Sequence, residues 1–218
     1  MNPQLPPAYA LIDPRPVAAG APYTFFLPLA SHLAGLAVGD LVKLIFRIDP
    51  PGAEFDAERA WVSITQVGPD GLSGTLDNDP EELRLAAGDV IRFQPFHVID
   101  VIFRDATVAR ERDLRRQFWE RCLVDGCVVD GSEPVEVIYR EDPEPLGPEE
   151  RYPDSGWRIR GRQGAATEAE MDAREVRYVA LGVVLNADDG FLHLVDSPVG
   201  AVFVRNARSW EFVAVDGA

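Results

Sequence analysis

Alternation of apolar and polar side chains in the first hundred residues is the feature that most constrains the fold. In residues 41–48, the apolar Val42, Leu44 and Phe46 alternate with polar neighbours such as Lys43. Side chains two residues apart lie on the same face of an extended chain. This run therefore predicts a half-buried β-strand.

A second pair of β-type runs covers residues 60–67 and 71–76. The tripeptide Pro69-Asp70-Gly71 between them combines a fixed proline φ with a permissive glycine, which is typical of a tight turn. The two runs predict a hairpin. With a further strand expected at 23–27, they indicate a mostly antiparallel β-rich domain over residues 1–104.

A short internal similarity links residues 36–43 to residues 85–92. In both, a Gly-Asp pair (Gly39-Asp40 and Gly88-Asp89) precedes an apolar run. Each copy predicts a turn that leads into a strand. The pair is consistent with a duplication, and also with chance, because Gly-Asp is common turn chemistry.

The spacing becomes helical between residues 107 and 124. Leu114, Phe118 and Cys122 fall at i, i+4 and i+8, which predicts a helix whose end is marked by Gly126. We expect this helix, at 105–125, to connect the N-terminal domain to a C-terminal α+β domain.

The C-terminal domain, residues 126–218, combines strand and helix patterns. Strands are predicted at 135–139, 201–205 and 210–215, and a buried helix at 176–187 that packs on a small sheet. Between 141 and 155, four prolines and six acidic residues predict a surface loop. The expected fold class is α+β.

Charge limits the classes of partner. The chain has 36 acidic and 21 basic residues, for a formal net charge of -15. Such a surface repels phosphate backbones and anionic lipid, so neither nucleic acid nor a membrane is an expected partner. A basic protein would be attracted, although many bacterial proteins are simply acidic.

The start of the sequence lacks an export signal and only two cysteines occur, which together predict a cytoplasmic protein.

Motifs for catalysis, metal or cofactor binding are not found. His32, His97 and His193 stand far apart, and the glycine patterns of nucleotide-binding loops and nucleophile elbows are absent. We therefore predict no catalytic residue, metal or cofactor. An enzyme would require His97 or His193 to meet a carboxylate in a cleft.

Several unusual short motifs in the C-terminal half resemble a bacterial domain family. They are Tyr139-Arg140-Glu141-Asp142-Pro143, Asp154-Ser155-Gly156-Trp157-Arg158, Leu194-Val195-Asp196-Ser197-Pro198-Val199-Gly200 and Phe203-Val204-Arg205. In this order they resemble the immunity-protein-thirty-three-like family of domains of unknown function. In the N-terminal half, motifs such as Trp61-Val62 and His97-Val98-Ile99-Asp100 resemble a second uncharacterised bacterial family.

The first resemblance implies an immunity-type protein that binds and neutralises a toxin, rather than an enzyme. Candidate partner-binding residues are Glu141, Asp154, Trp157, Arg158, Asp196 and Arg205. Structural roles compete with this interpretation, because Trp157 could fill the core, Arg158 could pair with Asp196 or Glu141, and Asp196-Ser197-Pro198 could be only a turn. A small-ligand-binding or housekeeping interaction module is the alternative function, and an uncharacterised enzyme is a third.

Overall fold

The computed structural model describes residues 9–48 and 55–215, which divide into two units. The N-terminal unit comprises the chain up to Gly20 together with Phe25–Arg115. The C-terminal unit comprises Ala21–Thr24 and the chain from Arg116 onward. Each unit contains one six-stranded sheet and its own apolar core.

The N-terminal unit is mostly antiparallel β-structure, as the sequence predicts. Its elements are β1 (Ala10–Leu11), α1 (Arg15–Gly20), α2 (Ala30–Ala34), β2 (Leu41–Arg47), β3 (Ala57–Gly68), β4 (Gly71–Leu76), β5 (Val90–Phe93), a 3-10 turn (Pro95–His97) and β6 (Asp100–Ile102). The sheet order is β1-β2-β3-β4-β5, and β6 pairs with the same edge of β2 as β1 does. The predicted hairpin is the β3–β4 pair.

The predicted alternation sets the core of this unit. Val42, Leu44 and Phe46 are fully buried and face the same apolar cluster. Tyr9 contacts the free edge of β5, where its hydroxyl accepts a hydrogen bond from the Arg92 backbone N–H at 2.7 Å. Because Tyr9 immediately precedes β1, this bond brings the two ends of the sheet together.

The two Gly-Asp segments adopt the same turn. Gly39 and Gly88 have φ of 94° and 91°, in the left-handed region that glycine tolerates. In each turn the aspartate carboxylate accepts the backbone N–H three residues earlier at 2.9 Å, from Ala37 to Asp40 and from Ala86 to Asp89. Each turn leads directly into a strand, so this prediction is confirmed.

The two turns make unequal contributions to stability. Asp40 is buried and also accepts the Arg104 N–H at 2.9 Å, whereas Asp89 is exposed. We expect Asp40→Ala to lower the free energy of unfolding by about 2–3 kcal/mol, because two backbone donors lose their charged acceptor. Asp89→Ala should cost about 1 kcal/mol. Urea unfolding of both variants measures the difference, and equal losses would contradict it.

The C-terminal unit contains a mixed sheet. Its elements are β7 (Arg121–Asp125), α3 (Gly126–Val129), β8 (Val135–Arg140), β9 (Asp154–Gly161), α4 (Glu168–Asp172), β10 (Val176–Ala180), α5 (Leu181–Ala187), a 3-10 turn (Leu192–Leu194), β11 (Val202–Arg205) and β12 (Phe212–Ala214). The strand order is β10-β7-β9-β8-β11-β12, and β7 and β9 run parallel. The α+β class is confirmed, as are the predicted strands near 135–139, 201–205 and 210–215.

The predicted connecting helix at 105–125 is wrong. The chain from Phe103 to Trp119 contains no helix, and residues 121–125 form β7. Cys122 and Val124 are buried on alternate positions, between the neighbouring strands β10 and β9. Leu114, which the helical spacing placed on the apolar face, is 81% exposed. Strand pairing on both sides of β7 therefore outweighs the local helical pattern.

Two further boundaries differ from the predictions. Residues 23–27 form a turn and irregular chain rather than a strand. The predicted helix at 176–187 is a strand over its first half, β10, followed by α5. Ala180 has φ of -64° and ψ of 140°, an extended conformation that ends β10 and begins α5. The helical half is buried through Leu181, Val184 and Leu185, as expected.

Candidate partner-binding surface

The acidic loop (residues 141–153) connects β8 to β9. Its exposed carboxylates belong to Glu141, Asp142, Glu144, Glu149 and Glu150. Leu146, at the middle of the loop, is 53% exposed. The predicted surface loop is confirmed over residues 141–153, whereas Asp154 and Ser155 are buried at the start of β9. In the sequence, acidic residues stand on both sides of Leu146.

A buried ion-pair network holds the two ends of this loop. Arg158 donates to both carboxylate oxygens of Asp154, at 3.1 and 2.9 Å, and to Glu141 Oε2 at 3.0 Å. The side chains of Arg158 and Asp154 are 8% and 1% exposed, and that of Glu141 is 55% exposed. The guanidinium therefore connects the first residue of the loop, which follows β8, to the start of β9.

Charge pairing in this network sets the ionisation of its members. Burial by itself would raise the pKa of Asp154, but hydrogen bonds from Arg158 and from the backbone of Glu144 and Gly156 outweigh it and lower the pKa. The pKa of Arg158 is raised, chiefly by its hydrogen bonds to Asp154. Both groups are thus charged at neutral pH.

Backbone contacts fix the loop at the same place. The Glu144 N–H donates to Asp154 Oδ2 at 3.0 Å, and the Glu141 N–H donates to the Gly156 carbonyl at 2.9 Å. Gly156 has φ of 79°, and a Cβ at this position would collide with the Glu141 carbonyl oxygen. Only glycine permits this close approach of β9 to the end of β8.

Trp157 is fully buried in the C-terminal core. Its indole Nε1–H donates to the Val195 carbonyl at 3.1 Å, which satisfies the one polar group of the side chain. The Arg140 side chain, which donates to the carbonyls of Ser155 and Ser197, holds the Asp196-Ser197 turn beside the base of the loop.

Arg205 is a second buried arginine. Its Nη2 donates to both carboxylate oxygens of Asp188, at 2.8 and 2.6 Å, and its Nε donates to the Val135 carbonyl at 2.7 Å. Its guanidinium lies 4.9 Å from the ring centre of Trp210 and 4.4 Å from that of Phe212. These contacts join the β11–β12 hairpin to the rest of the sheet.

The six predicted residues therefore separate into two groups. Asp154, Trp157, Arg158 and Arg205 are buried, and in this structure they stabilise the unit without presenting a surface to a partner. Glu141 and Asp196 are exposed. Of the two alternative partners of Arg158, the structure selects Glu141, because Asp196 pairs with Arg116 at 2.7 Å.

Two exposed apolar side chains of the C-terminal unit, Leu146 and Trp210, were not among the residues predicted to bind a partner. Leu146 lies within a segment predicted to be polar, and Trp210 is 51% exposed. Trp210 has φ of 64°, and within residues 9–48 and 55–215 no other non-glycine residue has a positive φ. The sequence pattern predicted Trp210 as the first residue of a strand at 210–215, whereas it lies outside β12, with its ring centre 4.9 Å from the Arg205 guanidinium.

His32 and His97 belong to the N-terminal unit and therefore lie outside this candidate surface. His32 Nε2 contacts the Glu111 carbonyl at 2.7 Å, and His97 lines a cleft of the N-terminal unit. In residues 9–48 and 55–215, no group of three or more His, Cys, Asp or Glu side chains is arranged to hold a metal ion.

None of the helices in residues 9–48 and 55–215 has the length and apolar character needed to cross a membrane.

Comparison with protein families identifies the part of the chain that contains the acidic loop. Residues 122–216 match the family model described as the Immunity protein Imm33 domain. This range contains the acidic loop and all six predicted residues, so the resemblance inferred from the C-terminal motifs is confirmed. The resemblance of the N-terminal half stays a prediction. No curated protein and no solved structure matches the chain.

Proposed function

We propose that this chain is a toxin-immunity protein whose C-terminal unit binds a basic protein toxin through the acidic loop. The observation that carries the proposal is the position of unpaired, exposed carboxylates inside the range that matches an immunity-protein domain. Inhibition would follow from occlusion of the toxin surface, so the chain itself needs no chemistry.

The charge on the loop is available to a partner. Within the described part of the chain, the carboxylates of Asp142, Glu144 and Glu149 make no hydrogen bond or ion pair, in contrast to that of Glu141. Unpaired carboxylates on an exposed loop produce a negative potential that accelerates the encounter with a basic surface. Leu146 among them supplies apolar area, which contributes affinity once water is excluded.

The buried network makes the loop suitable for tight binding. A loop that must be ordered on association loses affinity through the entropy of ordering. Here Arg158, Asp154 and Gly156 hold both ends of the loop before any partner arrives. The buried residues thus act on binding by positioning the exposed ones.

Asp196 extends the proposed surface. Its side chain is 77% exposed, and its turn is fastened to the base of the loop through Arg140. Because Arg116 pairs with the Asp196 carboxylate, we expect Asp196 to contribute less than the unpaired loop carboxylates do.

A charge-neutralised variant tests the proposal. We expect the native chain to retain one basic protein from lysate of the source organism at about 50 mM salt, with weaker retention at about 500 mM salt. The triple variant Asp142→Asn/Glu144→Gln/Glu149→Gln should lose most of that retention. The captured protein, expressed alone, should arrest growth, and co-expression of the chain should restore it.

A matched control separates the loop from net charge. The variant Asp77→Asn/Glu81→Gln/Glu82→Gln removes the same charge from exposed positions of the N-terminal unit. It should retain the partner and protect growth as the native chain does. Equal losses in both triple variants, or a captured protein without toxicity, would contradict the proposal.

A further inference from the structure

A cleft of about 530 Å³ opens at one end of the N-terminal sheet. Its walls are the β3–β4 turn (68–71), side chains from β3, β4 and β5, and the segment that leads into the 3-10 turn. This volume lies within the range typical of sites for small molecules.

Three polar side chains form a row along one wall of the cleft. Gln66 of β3 is paired directly with Ser73 of β4, and Ser73 is paired with Arg92 of β5. Directly paired residues present their side chains on the same face of a sheet. Within residues 9–48 and 55–215, none of these three side chains has a hydrogen-bonding or ionic partner, yet all of them can donate.

A fourth donor is held in a defined orientation. His97 Nδ1 accepts the Gln94 backbone N–H at 3.0 Å, so in the neutral ring the proton is on Nε2. Burial lowers the pKa of His97, and Arg15 acts in the same direction while Asp13 opposes it. The lowered pKa favours the neutral ring, which offers an Nε2–H donor. Gln94 also donates to the Asp70 carbonyl at 2.8 Å, which ties the two walls together.

We propose that this cleft binds a small molecule through an oxyanion group, a carboxylate or a phosphate, held by Arg92, Ser73, Gln66 and His97. An unpaired guanidinium matches the oxygen spacing of either anion in a bidentate arrangement. The remaining volume accommodates the rest of a metabolite-sized ligand. Asp70 also lines the cleft, so its carboxylate disfavours a second negative group on that side of the ligand.

This site belongs to the N-terminal unit, outside the range that matches the immunity domain. We treat it as independent of the proposed toxin binding, because its residues and the acidic loop belong to different units. The chain would thus combine a ligand-binding unit with a partner-binding one.

Nuclear magnetic resonance of the His97 ring in the full-length chain tests the site. The chain has three histidines, and His97→Gln assigns the resonance. We expect addition of inorganic phosphate or of acetate to shift that resonance with saturation. Arg92→Gln should weaken the affinity about tenfold through loss of the charged donor, and Ser73→Ala should weaken it by a smaller factor.

Arg84→Gln is the matched control, because it removes one exposed arginine of the same unit that does not line the cleft. It should leave the affinity unchanged. Saturation by phosphate alone would indicate a phosphorylated ligand, and saturation by acetate alone a carboxylic acid. Absence of saturation with both anions would overturn the proposal, as would equal weakening by Arg84→Gln and Arg92→Gln in folded variants.

Discussion

Replacement of Arg158 by methionine is expected to lower the free energy of unfolding of the C-terminal unit by about 3–5 kcal/mol. The substitution leaves the Asp154 carboxylate, 1% exposed, without its bidentate partner. An uncompensated buried charge is far more costly than the loss of the attraction itself. Urea unfolding followed by tryptophan fluorescence measures the loss, since Trp119, Trp157 and Trp210 all lie in this unit.

Two companion variants test the cause. Arg158→Met combined with Asp154→Asn should be more stable than Arg158→Met alone, because the orphaned charge is removed as well. Arg177→Met removes an arginine whose acidic partners, Asp130 and Glu175, are exposed, and should leave the urea midpoint almost unchanged. If Arg158→Met and Arg177→Met behave alike, burial of the pair is not what stabilises the loop.

Gly156→Ala should destabilise the C-terminal unit by about 3 kcal/mol. Part of this cost comes from the left-handed φ of 79°, which an L side chain rarely adopts. The remainder comes from the collision of the new Cβ with the Glu141 carbonyl oxygen, which would push β9 away from the end of β8. Thermal unfolding should report the loss, and partner retention should fall with it because the loop base is displaced.

Gly164→Ala is the control for conformation alone. Gly164 also has a positive φ, of 56°, but a Cβ there has no neighbour within 4 Å. We expect a cost of only about 1 kcal/mol from the backbone. A comparable loss at both positions would show that the close approach at Gly156 contributes nothing.

The local patterns that were interpreted correctly share a physical property. In β2, the β3–β4 hairpin and the two Gly-Asp turns, neighbouring residues suffice to specify the structure, through alternation or through a glycine beside a carboxylate. The acidic loop was equally predictable, since its prolines and charges leave little apolar surface to bury. Sequence therefore located the candidate surface.

The helix predictions at 105–125 and 176–187 were wrong, wholly or in part, because the local pattern there fits both a helix and a strand. Phe118 and Cys122 satisfy a helical spacing, but Cys122 and Val124 satisfy an alternating one equally well. Pairing with β10 and β9, which come from distant parts of the chain, favoured the strand. The same competition divided residues 176–187 between β10 and α5.

By itself, the sequence determined the α+β class, the resemblance of the C-terminal half to an immunity-protein domain and the acidic character of the loop between β8 and β9, because these depend on composition and on neighbouring residues. Tertiary structure alone decided which predicted residues are available to a partner. Burial of Asp154, Trp157, Arg158 and Arg205, and exposure of Glu141 and Asp196, result from packing between residues far apart in the chain. The cleft beside His97 is likewise a product of strand register, which no local pattern specifies.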